Sequence, residues 1–204
     1  LYGKTLGIIG LGRIGSEVAR RAYGFGMKLL GYDPIISPEK ARSINVEPVE
    51  LEELLRQADF ISVHVPMSDQ TRNLISTKQF NIMKPDVRIV NCARGGIINE
   101  AALAEAIREK KIAGAALDVF EKEPPLENPL LELDSVIVTP HLGASTEEAQ
   151  VNVAREVADQ VVRALRGEPV PYAVNVPQID PKVYRELKPY LDLAEKLGRF
   201  QSQY

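Results

Sequence analysis

An α/β fold with a parallel sheet covered by helices on both faces is what this sequence predicts. Three observations carry that expectation. Short apolar runs bounded by turn residues recur along the chain, helical patterns lie between several of them, and the runs are nearly continuous rather than alternating. A strand buried on both faces reads that way, whereas a strand with one wet face alternates. With 204 residues, 45% of them apolar, the chain can bury one core and carry an appendage.

The first strand is expected at Thr5–Ile9, followed by a helix over Arg13–Phe25 in which Val18, Ala22 and Phe25 are apolar. A second strand, Lys28–Tyr32, ends at Asp33. A helix at Val49–Gln57 precedes the strand Phe60–Val65, and the strand Arg88–Asn91 precedes a helix at Glu100–Glu109. Two further strands are expected at Ala113–Leu117 and Val136–Thr139. A longer helix should run from about Thr146 to Arg166, since Ala149, Val153, Val157, Val161 and Leu165 repeat every four residues as one stripe. Ser145 is its expected N-cap, with Glu147 and Glu148 in the first turn; Gly167 and Pro169 stop it. The segment Glu168–Pro181 holds four of the fourteen prolines and reads as a linker, and Val183–Gln203 reads as helical. The expected division is therefore a domain at 1–167 and a linker with a helical tail at 168–204.

Bulk properties exclude several classes. A formal net charge of -3 argues against a nucleic-acid footprint or a basic membrane face. A single cysteine, Cys92, excludes an internal disulfide and fits a reducing, cytoplasmic compartment. No apolar run reaches the ~18 residues of a membrane span, and no leader pattern precedes the first strand. The chain starts at Leu1 rather than methionine, so it reads as a fragment or a processed product.

Gly10, Gly12 and Gly15 form G-x-G-x-x-G between the first strand and the first helix. Alone the pattern is weak; in this position it is a dinucleotide cradle, and the sheet becomes a Rossmann-type doubly wound one. Gly10 permits the tight turn, Gly12 lets backbone approach a pyrophosphate, and Gly15 lets the helix pack against the strand. The helix start offers N–H groups and partial positive charge to the phosphates. Asp33, eighteen residues after Gly15, would accept hydrogen bonds from the adenosine ribose and repel a 2′-phosphate, favouring NAD over NADP. Arg13 is a further candidate for the pyrophosphate, with Ile14 beside it giving backbone and packing.

Ligands of open α/β sheets bind outside the carboxyl ends of the strands. Three strand ends there carry polar groups: Arg94 in CARGG, Asp118 and Glu123 in DVFEKEPP, and His141 in PHLGAS. Oxidising a secondary alcohol needs a base for the hydroxyl proton, and imidazole titrates in the right range. A carboxylate on the far nitrogen of His141 would hold the ring and stabilise the imidazolium. Spacing alone leaves Glu121, Glu123 and Glu127 as rivals for that partner. Arg94 suits a substrate carboxylate and the reacting oxygen. Asp118 suits the nicotinamide end, or else caps a turn. Cys92 reads as a packed small residue near the cofactor, and His64 in SVHVP as structural. No metal enters this chemistry.

GLGRIG, the Asp33-Pro34 strand end, HVP, NCARGG, ALDVFEKEP and TPHLGAST together resemble the D-isomer-specific 2-hydroxyacid dehydrogenase family across Tyr2–Gly167. The resemblance implies that Arg94, Glu123 and His141 are the catalytic arginine, glutamate and histidine, choosing Glu123 among its rivals. It implies cofactor contacts at Gly10, Gly12, Arg13, Ile14, Gly15, Asp33, Val65 through its backbone, Cys92, Ala93, Arg94, Asp118, His141, Leu142, Gly143 and Ala144. Glu123 speaks against the formate dehydrogenase branch, where a glutamine pairs with the histidine. The stretches AVNVPQIDP and LKPYLDLAEKLG resemble the junction to extra C-terminal domains in long-form members acting on a phosphorylated 2-hydroxy acid. Glyoxylate and hydroxypyruvate reductases share the core motifs, and NAD-sensing corepressors share the fold. Family members begin with a substrate-domain segment of roughly a hundred residues that is absent here. The expectation is therefore a NAD-binding piece, without turnover by itself, of an enzyme that is a homo-oligomer when whole.

Overall fold

Two neighbouring isoleucines in the first strand, Ile8 and Ile9, are both fully buried, and they belong to different cores. Successive side chains of a strand point to opposite faces, so this pair records a sheet packed on both sides. The structure is a computed structural model and describes residues 1–174 and 181–203. Residues 175–180, which hold most of the second half of the expected linker and most of AVNVPQIDP, lie outside the described residues, as does Tyr204. The chain forms two units, Leu1–Gly143 and Ala144–Tyr204.

In the first unit β1 (Thr5–Ile9), α1 (Arg13–Gly24), β2 (Lys28–Tyr32), α2 (Pro38–Arg42), β3 (Glu47–Pro48), α3 (Leu51–Gln57), β4 (Phe60–Val63), α4 (Thr77–Phe80), β5 (Arg88–Asn91), α5 (Glu100–Arg108), β6 (Gly114–Leu117) and β7 (Val136–Val138) follow in turn, with a 3-10 turn at Pro129–Glu132 before β7. The sheet is wholly parallel in the order β3-β2-β1-β4-β5-β6-β7. The order reverses between β1 and β4, and such a reversal opens a crevice at the carboxyl ends of the strands.

One core holds Leu6, Ile8, Ala19, Ala22 and Leu29, joining α1 to the first strands. The other holds Ile9, Leu54, Ile61, Phe80, Ile89 and Leu103, joining α3, α4 and α5 to the other face. The second half of the sheet is less evenly covered. Val90, Ala116 and Ile137 lie in register on β5, β6 and β7, and Ile137 is 68% exposed.

Several boundaries differ from expectation. β4 stops at Val63, not Val65, because the chain turns off before Pro66, which has no N–H to add to a ladder. α3 starts at Leu51, not Val49, because the Val49 N–H still donates to the Gly31 carbonyl beside β3. β7 closes at Val138; Thr139 keeps one backbone bond to Leu117 while its hydroxyl turns to Asp118. The N-terminus is pinned by Asp59, whose carboxylate accepts the Thr5 N–H and pairs with Lys84, each at 2.8 Å.

In the second unit α6 (Glu147–Leu165) is capped by Thr146, whose hydroxyl accepts the Ala149 N–H at 3.1 Å, rather than by Ser145. It ends as Gly167 takes a left-handed φ of 68°. Its apolar stripe is exposed at Val153, Val157, Val161 and Leu165. α7 (Pro181–Gln201) carries ion pairs between Lys188 and Asp192 and between Arg199 and Glu195, and Tyr184 donates to the Gly167 carbonyl. Among the described residues no helix is long and apolar enough to cross a membrane.

Candidate active site

The turn after β1 cannot be built from residues with a side chain at two of its glycines. Gly10 has φ 94°, and a Cβ there would lie 2.8 Å from the His64 carbonyl. A Cβ at Gly15 would lie 1.9 Å from the Gly10 oxygen. Gly12 is different: a Cβ there meets nothing within 4 Å, so it leaves open space above the turn. No side chain caps α1 at Gly12, and its N-terminal dipole faces that space uncovered by a cap. Arg13 and Ile14 are exposed on the first turn of α1.

Asp33 ends β2 as expected, but its carboxylate is already occupied by backbone. One oxygen accepts the Leu11 N–H at 2.8 Å, and the other accepts the N–H groups of Ile35 and Ile36 at 2.9 and 3.3 Å. It ties the glycine turn to the end of β2. Beside it Leu11, Asp33, Ile36, Arg42 and Val49 line a cleft of about 470 Å³.

After β4, His64 is half-buried and bonds Ser62 Oγ through Nε2 at 2.8 Å, while its N–H extends the ladder to Ile9. Burial pushes the His64 pKa down, which fits a structural role. Val65 is half-buried against the core.

After β5 the turn Cys92–Arg94 is shaped by Asn91, which spacing did not single out. Its side chain is buried, donates to the Arg94 carbonyl at 2.9 Å and accepts the Ala93 N–H at 3.0 Å. Arg94 is exposed, and its guanidinium donates to the Ala93 carbonyl. Cys92, expected from sequence to be packed, is exposed at the rim; partial burial of its thiol, and then the Asp118 charge, push its pKa up.

Asp118, after β6, is the best-satisfied acid of the rim. Buried to 4% exposure, it accepts the Thr139 hydroxyl at 2.5 Å and the N–H groups of Leu142 and Gly143 at 2.7 and 2.8 Å. Burial alone would raise its pKa, but these bonds outweigh burial and hold it below its ordinary value. The turn it fastens carries His141, a non-glycine residue at φ 57°. Such a backbone persists only where its neighbours hold it, and Asp118 grips residues on both sides.

His141 Nδ1 meets Glu123 Oε2 at 2.9 Å, and Glu123 Oε1 accepts the Phe120 N–H at 3.0 Å. The His141 bond first, and then the Phe120 N–H, hold the Glu123 carboxyl below its ordinary value. The rival Glu121 lies 3.9 Å from Arg72. Ala144 begins the other unit, where its carbonyl accepts a bond from Gln150.

β5, β6 and β7 are neighbours and parallel, so Arg94, Asp118, Glu123 and His141 share one rim with the glycine turn. A cradle with an open glycine beside a carboxylate fits a dinucleotide. An imidazole whose Nδ1 is held by an ionised partner fits proton exchange through Nε2.

Residues 1–143 match the family described as D-isomer specific 2-hydroxyacid dehydrogenase, NAD binding domain. The D-3-phosphoglycerate dehydrogenase of Methanocaldococcus jannaschii is 55% identical over all 204 residues, and that of Bacillus subtilis 50% identical over 203. The chain spans 39% of the length of each. Among solved structures, D-mandelate dehydrogenase of Rhodotorula graminis superposes with a TM-score of 0.79 at 38% identity, over 88% of this chain and 53% of that one. D-lactate dehydrogenase of Lactobacillus jensenii with NAD+ superposes with a TM-score of 0.77 at 34% identity, over 85% of this chain and 56% of that one.

Proposed function

The chain belongs to the D-isomer specific 2-hydroxyacid dehydrogenase family, as its NAD-binding domain, and from that premise we propose that the whole protein oxidises D-3-phosphoglycerate to 3-phosphohydroxypyruvate with NAD. The observation that carries this reading is the His141–Glu123 pair at 2.9 Å on the rim shared with the glycine turn. Gly10, Gly12 and Gly15 cradle the pyrophosphate, with Arg13 and Ile14 at the helix start, while Asp33 takes the adenosine ribose. Val65, Cys92, Ala93, Asp118 and the turn His141–Gly143 border the nicotinamide half. Bound NAD supplies the acceptor for the hydride that leaves the alcohol carbon.

His141 takes the hydroxyl proton on Nε2 as the carbonyl forms, and returns it in the reductive direction. Glu123 stabilises the imidazolium through Nδ1 and fixes which nitrogen faces the substrate. Arg94 binds the substrate carboxylate as a fork and draws charge toward the reacting oxygen. Asp118 acts on the turn, keeping His141 at its left-handed φ. The names of the relatives at 55% and 50% identity support the phosphorylated substrate. The apolar side chains exposed along α6 and α7 support a homo-oligomer for the whole protein.

A steady-state comparison of the full-length protein on D-3-phosphoglycerate, glycerate, lactate and 2-hydroxyglutarate, each with NAD and NADP, tests the proposal. The highest kcat/KM is expected for phosphoglycerate with NAD. Equal or better turnover of an unphosphorylated acid would overturn the substrate assignment.

A further inference from the structure

Glu100 is the first residue of α5, yet it does not cap that helix. Asn99 does so, its Oδ1 accepting the Ala102 N–H at 2.8 Å. The Glu100 carboxylate reaches instead to the loop that leaves β6. Oε1 accepts the Glu121 N–H at 2.6 Å, and Oε2 accepts from Asn128 Nδ2 at 2.5 Å. In sequence those two donors bracket Glu123. The Phe120–Glu121 peptide also lies so close to Gly95 that a Cβ there would sit 1.9 Å from the Phe120 oxygen. The loop is thus packed at Gly95 and fastened at both ends by one side chain.

We propose that Glu100 is a positioning residue, whose carboxylate brackets the Phe120–Asn128 loop so that Glu123 stays in reach of His141. The inference rests on reading Glu123–His141 as the acid–base pair. Bonds to a charged carboxylate are about twice as strong as neutral ones, and two from one acceptor remove the freedom that the loop would otherwise regain. Glutamine in this place keeps one acceptor and sets an amide N–H against a donor; alanine loses both bonds. Charges that face His141 include Glu123, in direct contact, and Asp118, through the turn it fastens. Glu121, Lys122 and Glu127 line the cleft beside Glu100.

The chain has two histidines, so a pH titration followed by proton NMR of the imidazole Cε1–H signals resolves both. In Glu123→Gln the His141 midpoint should move to lower pH, as the imidazolium loses its anion. Glu100→Ala should move it the same way by at least half as much, and Glu100→Gln by less, with His64 unmoved throughout. In the Glu123→Gln background Glu100→Ala should add no further shift, because it acts through Glu123. An additive shift there would mean that Glu100 acts by its own charge, and it would overturn the inference. So would a His141 midpoint that moves in Glu123→Gln but in neither Glu100 variant; Glu100→Gln, which removes no volume, serves if Glu100→Ala does not fold. A midpoint unmoved by Glu123→Gln would overturn the pair itself, and the inference with it.

Discussion

The Asp33 carboxylate accepts the Leu11 N–H at 2.8 Å, so the acid that ends β2 also holds the glycine turn that ends β1. Cofactor choice and loop stability therefore share one side chain. Calorimetry on the chain should show NAD(H) bound more tightly than NADP(H). Asp33→Ala should weaken both and lower Tm by several degrees, since a hydrogen bond to a charged group contributes about 1.5–3 kcal/mol. Asp33→Asn, which keeps one acceptor oxygen, should narrow the preference at a smaller cost in Tm. Equal affinities in the unmodified chain would remove Asp33 from cofactor selection.

Gly12 separates binding from folding. A Cβ there meets nothing within 4 Å, and φ is -64°, so Gly12→Ala should leave the unfolding free energy within about 1 kcal/mol of the unmodified chain. The added methyl occupies the space a pyrophosphate needs, and NADH affinity by fluorescence should fall at least about tenfold, or 1.4 kcal/mol. Unchanged affinity would place the phosphates elsewhere.

On the proposed activity of the full-length protein, His141→Ala should remove a factor of about 10²–10⁴ from kcat. Glu123→Gln should leave turnover measurable and move its pH dependence. Glu123 is held ionised first by its bond to His141. Losing the anion favours neutral imidazole, so the limb of kcat/KM that reports loss of the imidazole proton should move to lower pH in the oxidative direction. An unchanged profile would assign the partner to another group.

Asp118→Asn should destabilise the chain by about 1–3 kcal/mol in urea unfolding, because an amide N–H replaces an acceptor opposite a backbone N–H. Its folded pKa lies below its ordinary value, so its contribution is complete above the usual aspartate range and fades as pH falls through the lowered folded value. The gap between the unmodified chain and Asp118→Asn should therefore close in acid. A gap independent of pH would mean that the carboxylate's charge is not what holds the turn.

The strands legible in the sequence are those that form short apolar runs, such as Phe60–Val63 and Arg88–Asn91, and they include β7 although its Ile137 is exposed. β3 escaped because it is two residues, Glu47 and Pro48, with no apolar pattern and only the neighbouring strand to define it. α4 escaped although its signal was present: Ser76 and Gln79 form a capping box ahead of a four-residue helix. The acid–base residues were legible as types at strand ends. The choice of Glu123 over Glu121 came from family resemblance, and its physical basis is loop geometry, which turns Glu121 toward Arg72. Asn91 and Glu100 had no signal of their own, since their work depends on which loop folds back beside them.

The place of β1 inside the sheet has a cost during synthesis. Thr5 pairs with Lys28, but the other edge of the strand waits for Phe60 to pair with Leu6. Until the ribosome has delivered Phe60–Val63, the Ile8–Ile9 strand is a sheet edge with open N–H and carbonyl groups and an apolar flank, the template that neighbouring nascent chains can extend. Closing the longer loop adds little to the equilibrium cost, yet non-local parallel pairing is slow to form. A translational pause between Tyr32 and Phe60 is therefore where aggregation would start.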